Sequence, residues 1–486
     1  MLFNSLNFAV FFVIIFILYW FVTNKNLKIQ NLLLLISSYF FYAFWDWRFL
    51  FLLVFSTLLD YYSGLKISNT EKESSKRFWF WLSISVNLGF LGVFKYYNFF
   101  IESFTELFSK FGFVINTWTL NVVLPVGISF YTFHGLSYVI DVYKKRIPAE
   151  KNFIDYAVFV SFFPLLVAGP IERATHLLPQ IKKKRSFDYN TAVNGVRQIL
   201  WGLFKKIVIA DTCSVFVDDI FQNYANYSGG TLVLGAILFS FQIYCDFSGY
   251  SDIAIGVAKL LGIDLITNFR TPYFSRNIAD FWRRWHISLS SWFRDYVYMP
   301  LGGSKVGLTK SIRNIFIIFI LSGFWHGANW TFIFWGALNA LYFIPSFLMK
   351  NNRKYVDNDS QSSFLSQIKA FVDILITFGL VTFAWIFFRS NSLTNAIAYI
   401  KGIFRYEDFL KIHSAKTYEL SLKPLLLYLI IFLFIEWYYK NENVVFTKLH
   451  NTKLSIAAKY VFYFLAVISI LLSIKNQSTS FIYFQF

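Results

Sequence analysis

The residues in this sequence best suited to chemistry are two histidines set among tryptophans. His326 lies in Ser322-Gly323-Phe324-Trp325-His326-Gly327-Ala328-Asn329-Trp330, a polar interruption between the apolar runs 315–321 and 332–338. An imidazole titrates near neutrality, so it can take a proton from a hydroxyl and return it to a leaving group. Polar groups at membrane depth are costly and usually functional. Gly323 and Gly327 flank the histidine four residues apart and allow a second backbone or a long ligand to come close. The competing role for His326 is structural, hydrogen-bonded to a neighbouring helix. His286 belongs to Asp280-Phe281-Trp282-Arg283-Arg284-Trp285-His286-Ile287-Ser288-Leu289-Ser290-Ser291-Trp292, 40 residues before His326. One helix and a turn back span that separation, which is compatible with both imidazoles meeting in one cavity.

Charged groups accompany the histidines. Arg283 and Arg284 can hold a phosphate or pyrophosphate, or anchor to lipid headgroups. Tyr244-Cys245-Asp246-Phe247-Ser248-Gly249-Tyr250-Ser251-Asp252 places two carboxylates inside an apolar segment. Asp246 or Asp252 can orient a histidine's second nitrogen, or neutralise a buried arginine. Ala168-Gly169-Pro170-Ile171-Glu172-Arg173, followed by Leu177-Leu178-Pro179-Gln180, reads as a bent or re-entrant segment, because Gly-Pro at the end of an apolar run stops or kinks a helix. His134, in Phe130-Tyr131-Thr132-Phe133-His134-Gly135, reads as structural, and His176, His413 and His450 carry no signal. Cys213 and Cys245 show no spacing for a disulfide framework or a zinc site. No GxSxG elbow and no P-loop is present.

The elements that position these residues follow from composition. Of 486 residues 56% are hydrophobic and only 15% charged, against about 25% charged in a soluble domain; the mean hydropathy is +0.50. Apolar runs recur along nearly the whole length, so the solvent for most of this surface is a bilayer. The 62 Phe, 30 Tyr and 15 Trp suit membrane interfaces, where one end of a side chain is apolar and the other wet. The net charge of +18 sits in short loops between apolar segments. It sets topology and meets anionic headgroups, and no basic face on a soluble module suggests nucleic acid. The apolar run from residue 8 to 22 lacks a basic n-region and a cleavage site and reads as a retained first helix.

Membrane-embedded segments are expected at about 7–22, 30–44, 48–66, 78–101, 120–142, 153–170, 195–217, 231–262, 311–329, 330–349, 369–388, 423–440 and 456–474. Trp45-Asp46-Trp47-Arg48 joins the second and third, and Glu71 to Arg77 is expected to be an aqueous loop. Lys182-Lys183-Lys184-Arg185 is a cationic loop suited to a cytoplasmic face, and residues 350–366 lack periodicity and read as an exposed loop. Residues 264–306 interleave Arg270, Arg276, Arg283, Arg284, Arg294 and Lys305 with Trp282, Trp285, Trp292 and Phe293. Such a mixture suits short helices at the interface or along a water-accessible cavity rather than a span. No repeat period stands out, so an inverted-repeat transporter plan finds no support.

Arg283-Arg284-Trp285-His286 and Trp325-His326-Gly327, inside a polytopic chain, resemble the motifs of the membrane-bound O-acyltransferases. Tyr244 to Asp252, Tyr298-Met299-Pro300-Leu301-Gly302-Gly303, the Ala168-to-Gln180 stretch and the C-terminal Phe481-Ile482-Tyr483-Phe484-Gln485-Phe486 are similar to the bacterial alginate O-acetyltransferase branch. The resemblance runs essentially the full length. It implies an all-α polytopic integral membrane protein: a ring of roughly 11 or more tilted transmembrane helices, with short re-entrant or interfacial helices, around a central funnel or tunnel. It implies one membrane-embedded domain over residues 1–486 with its catalytic core at about 231–340. His326 maps to the family's catalytic histidine and His286 to the upstream polar partner. The reaction implied is acyl transfer to a hydroxyl, most simply of acetyl, from acetyl-CoA or another acyl thioester as substrate rather than as a resident cofactor. Arg283, Arg284 and Trp285 are the candidate donor contacts. The implied setting is multi-pass in a bacterial cytoplasmic membrane. The implied partners are lipid, the thioester donor, and a periplasmic or extracellular acyl-handling protein or polysaccharide acceptor such as alginate.

The chemistry suits the residues independently of the resemblance. A hydroxyl attacking a thioester needs a base, which one neutral imidazole supplies. A covalent acyl-enzyme on Ser322 or Cys245 lacks triad logic in the sequence. D-alanyl transfer toward teichoic acid and acyl transfer to peptidoglycan remain open beside polysaccharide O-acetylation. From other classes, a proton-coupled transporter or flippase would also use intramembrane His and Asp, and a scaffold docking a soluble partner would not need the histidines.

Overall fold

The computed structural model describes residues 1–113, 119, 124–167, 169–353, 364–405, 416–440, 442, 456–474 and 481–482. Ala168, His413, His450, most of the polar stretch 350–366 and residues 483–486 of the C-terminal motif lie outside the described residues. Every regular element among the described residues is helical. Among the described residues, six helices are long and apolar enough to cross a membrane: Arg48–Asn69, Glu73–Lys110, Gly229–Leu260, Leu308–His326, Trp330–Leu348 and Phe364–Arg389. A span needs about 20 mostly apolar residues, and the shorter apolar helices Leu6–Val22 and Lys459–Ser473 fall just under that length. Large apolar side chains stand exposed along these helices, among them Phe51, Phe55, Phe371 and Leu375; a continuous apolar exterior of this kind belongs against lipid. The chain is an all-α, multi-pass membrane protein.

The backbone divides into two compact units, one formed by Met1–Ala192 with Val257–Ile266 and the other by Val193–Gly256 with Thr267–Phe486. In the first, the residues expected to form an aqueous loop at 71–77 instead begin a helix at Glu73. Glu73 in the first turn favours that start, since a carboxylate complements the positive end of the helix dipole. The segment expected at 153–170 is helical only over Phe153–Ser161. Beyond it the chain runs irregularly but buried: Phe162, Phe163, Leu165, Leu166 and Ile171 are fully covered. Irregular backbone at membrane depth is tolerated only inside protein, and Glu172 ties this stretch down. Its Oε1 accepts from Ile266 N–H at 2.6 Å, its Oε2 pairs with His176 Nδ1 at 2.8 Å, and its own N–H donates to His134 Nε2 at 3.2 Å. His134 is therefore a fully buried structural histidine, and its other ring nitrogen lies 3.3 Å from Val160 O.

In the second unit the expected segment 195–217 is three pieces: the helix Tyr189–Leu203, which starts just inside the first unit, a π-helical stretch Phe204–Ala210, and the helix Asp211–Gln222. The π stretch carries two buried lysines. Lys206 pairs with Asp211 at 2.7 Å and Asp246 at 2.8 Å, and Lys205 pairs with Asp252. Asp246 also accepts from Ile482 N–H at 2.7 Å, with Phe481 seated on Tyr250 at 4.5 Å between ring centres. The described part of the C-terminal motif is thus anchored to the Tyr244-to-Asp252 motif. Two glycine contacts set the helix packing. Gly202 and Gly249 face each other's carbonyls, where an added Cβ would come within 2.6 and 2.8 Å of backbone oxygen. Gly323 and Gly336 do the same between Leu308–His326 and Trp330–Leu348, against Phe332 O and Phe319 O. Small residues let helix backbones approach where lipid supplies no hydrophobic drive for association.

Candidate active site

The stretch 264–306 forms short helices, Ile278–Arg284 and Ile287–Phe293, then a π turn over Arg294–Tyr298. Trp285 and His286 lie between the first two, His286 directly before the second. The φ of 43° at His286 puts it in the left-handed region, a costly conformation for a non-glycine residue that surrounding structure must enforce. Arg270 N–H donates to Arg284 O and Ile287 N–H to Asn268 O, each at 2.9 Å, clamping the turn from both sides.

Asn268 also decides the protonation pattern of His286. Its Oδ1 accepts from Ser288 N–H at 3.3 Å and from Ser288 Oγ at 2.9 Å, while its Nδ2 donates to Ser251 Oγ at 3.1 Å. A backbone N–H is an obligatory donor, so the atom facing Ser288 is the amide oxygen. That oxygen lies 3.1 Å from His286 Nδ1. Nδ1 must therefore carry the proton, and Nε2 presents its lone pair. Nε2 is buried with no hydrogen-bond partner among the described residues. Burial among Phe247, at 4.6 Å and perpendicular, and Phe269 pushes the His286 pKa down to about 3, so the ring is neutral across the physiological range.

His326 closes the helix Leu308–His326 and is 3% exposed. Its ring packs edge-on against Trp335 at 5.3 Å and Phe388 at 5.2 Å. Trp325 joins the two histidines: its ring lies 4.9 Å from His326 and 5.9 Å from His286. Both imidazoles thus stand in one aromatic layer, which Trp285, Trp335 and Trp385 continue. Gly327, directly after His326, lies against the Phe332 ring, and Asn329 caps the next helix by accepting from Thr331 N–H.

The other candidates separate from this pair. Arg283 and Arg284 are about one-third exposed and both pair with Asp280, at 3.4 and 3.0 Å. The Arg283 guanidinium also donates to Asn352 O, beyond the C-terminal end of Trp330–Leu348, whereas His326 lies near that helix's N-terminal end. The guanidinium thus reaches past the C-terminal end of that helix, while Trp282 beside it packs 5.7 Å from Trp335, the residue that touches His326. Trp285 is 1% exposed, stacked on Phe281 at 5.4 Å and close to Phe269 and Trp385; it packs the layer beneath the arginines. Asp246 and Asp252 meet lysines rather than histidines or arginine. Ser322 and the two cysteines are buried, the cysteines completely. Sequence reading passed over Asn268 and Ser288, which orient His286, because a lone Asn between loop residues carries no periodic signal. Lys205 and Lys206 did carry one, as two cations within an apolar run.

The sequence model of the MBOAT, membrane-bound O-acyltransferase, family matches residues 32–388. A protein of Pseudomonas putida named "Probable alginate O-acetylase AlgI" is 39% identical over 412 residues, covering 84% of this chain and 81% of its own. A peptidoglycan O-acetyltransferase of Helicobacter pylori is 38% identical over 405 residues, covering 78% and 74%. A teichoic acid D-alanyltransferase of Bacillus subtilis is 30% identical over 294 residues, covering 56% and 70%.

Proposed function

Because this chain belongs to the membrane-bound O-acyltransferase family and is an O-acetyltransferase, we propose that it moves acetyl from a cytoplasmic thioester donor, with acetyl-CoA the simplest, to hydroxyls of an extracellular polysaccharide such as alginate. The likeness to alginate O-acetylases over most of both chains supports that acceptor class. The setting is a bacterial cytoplasmic membrane, with a periplasmic or extracellular acyl-handling protein as partner.

In this reading His326 is the base. The acceptor oxygen attacks the thioester carbonyl carbon as His326 takes its proton. The tetrahedral intermediate then expels the thiolate, which receives that proton back. His286 orients the acceptor: a nitrogen with an open lone pair accepts from a hydroxyl and cannot polarise a carbonyl. The observation that carries the assignment is this complementarity, two imidazoles on one tryptophan with one of them held as a bare acceptor. Arg283 and Arg284 take the donor's phosphates far from the reacting carbon, and a thioester arm bridges the distance. Trp285, beneath them, keeps their turn in place. Asp246 and Asp252 hold lysines and take no part in proton transfer.

The test is transfer in proteoliposomes. Acetyl-labelled CoA is supplied on the face bearing Arg283 and de-O-acetylated polymer on the other. Label appearing on the polymer, lost with His326→Ala, supports the reading. Labelled polymer formed at the wild-type rate by that variant would refute it.

A further inference from the structure

One hydroxyl on the helix that ends in His326 has no task in the fold. Ser322 lies within Leu308–His326 and is 7% exposed. A serine inside a helix either points to solvent or turns its hydroxyl onto the carbonyl four residues back. Ser311 of the same helix takes the second course, donating to Gly307 O at 2.7 Å, as do Ser240 and Ser390 on neighbouring helices, at 3.1 and 2.7 Å. Ser322 does neither. It is buried, and its Oγ has no hydrogen-bond partner among the described residues. Burying a hydroxyl without a bond is unfavourable, so this one calls for an acceptor that arrives from outside the chain.

The neighbours of Ser322 show where it faces. Phe319, Ser322 and His326 follow one another at i, i+3 and i+7, a single helix face. The Phe319 ring lies 5.3 Å from Trp282 and the His326 ring 5.3 Å from Trp335, and those two tryptophans are 5.7 Å apart. Ser322, between Phe319 and His326, therefore faces the same aromatic layer as the histidine. Helical side chains lean toward the N-terminus and those four apart are direct neighbours, so the His326 imidazole extends over the turn that carries Ser322. Gly323, the next residue, presses against Phe332 O, which closes this turn against Trp330–Leu348 rather than against lipid.

The reaction leaves one role open. In the attacking step His326 takes a proton and His286 accepts a hydrogen bond, so neither gives one to the carbonyl oxygen of the thioester. As the acceptor oxygen bonds to the carbonyl carbon, the C=O π pair moves onto the carbonyl oxygen, and that charge needs a donor. The attacking oxygen and the oxyanion sit on one carbon, each with its partner at about 3 Å. Base and donor must then be near neighbours, as residues four apart on a helix are.

We propose that Ser322 is a catalytic residue: its hydroxyl donates to the carbonyl oxygen of the acyl thioester and stabilises the oxyanion of the tetrahedral intermediate. The serine keeps its proton throughout. When the intermediate collapses, the electron pair returns to C=O, the C–S bond breaks, and the thiolate takes the proton from His326. The inference rests on the acyl-transfer reading above.

The experiment compares Ser322→Ala with Ser311→Ala in the full-length protein. Ester-linked acetate on the extracellular polymer is measured in cells, at expression low enough for ester content to follow enzyme amount. Thermal unfolding is measured on the same proteins in detergent. Ser322→Ala should lower ester formation about 100- to 1000-fold with an unchanged melting temperature, since it removes no hydrogen bond of the fold. Ser311→Ala removes a hydroxyl the helix itself uses, so it should lower the melting temperature and spare ester formation per folded enzyme. Wild-type ester formation by Ser322→Ala overturns the proposal. A fall matched by lost thermal stability also overturns it, because it marks a packing role. So does a labelled acyl group recovered on Ser322 by mass spectrometry after acid quenching, because Ser322 would then be a nucleophile. If His326→Ala leaves cellular ester content intact, the acyl-transfer reading itself falls, a result separate from every outcome at Ser322.

Discussion

Asn268→Ala should disable the enzyme without touching either histidine. Asn268 Oδ1 accepts from His286 Nδ1 and twice from Ser288, and Nδ2 reaches Ser251. Truncation to Ala removes the Nδ1–H acceptor at 3.1 Å and leaves only Ser288 Oγ, 3.4 Å away, a loss of about 1–3 kcal/mol. The imidazole can escape that cost by moving its proton to Nε2, the atom that must present a lone pair, or by rotating out of a backbone conformation already at φ 43°. Either response removes the lone pair that holds a neighbouring hydroxyl of the acceptor in place, so acetyl transfer should fall on the order of 10- to 100-fold. Asn268→Asp separates orientation from charge. A carboxylate still accepts from Nδ1, so orientation survives, but a negative neighbour favours the imidazolium and raises the histidine pKa. In wild type His286 is held neutral down to about pH 3. In Asn268→Asp the acid limb of the rate profile should move to higher pH, because the neutral form is lost sooner as pH falls. The assay is initial-rate acetyl transfer by purified protein from pH 5 to 9, at equal folded amounts. Wild-type rates in Asn268→Ala, or an unmoved acid limb in Asn268→Asp, would refute the role given to His286.

Other perturbations follow from the same contacts. Replacing Lys206 with Met should strand Asp246 and Asp211 as buried carboxylates and cost about 3–5 kcal/mol; the yield of monodisperse protein after detergent extraction should collapse, while the exposed pair Lys110–Glu106 should tolerate Lys110→Met. Gly336→Ala drives a methyl into Phe319 O, so thermal unfolding should show a loss of about 1–3 kcal/mol. Arg283→Ala with Arg284→Ala should raise the donor KM about tenfold with little change in kcat, and the acceptor KM should not move.

The helices around the site were largely legible. The apolar runs at 311–329, 330–349 and 369–388 correspond to Leu308–His326, Trp330–Leu348 and Phe364–Arg389, because a span has no polar alternative and hydropathy reports it directly. The short, non-spanning nature of 278–298 was legible for the converse reason, its mixing of Arg with Trp. Hydropathy could not show that the run 153–170 stops being helical after Ser161, since residues buried in protein and residues facing lipid have the same composition. Nor could it pair Asp246 and Asp252 with Lys206 and Lys205, partners far away in sequence, 47 residues for the second pair, on another element. Asn268 was invisible, since its importance lies in three hydrogen bonds that only the folded turn creates.

The central claim is that His326 performs acyl transfer. Its most direct test compares ester-linked acyl groups on the extracellular polymer of cells expressing wild type with those of cells expressing His326→Ala at matched membrane abundance. The account predicts that the variant's polymer carries no enzyme-dependent ester and that base treatment of the wild-type polymer releases acetate. Wild-type ester content in the variant would contradict it and remove His326 from catalysis.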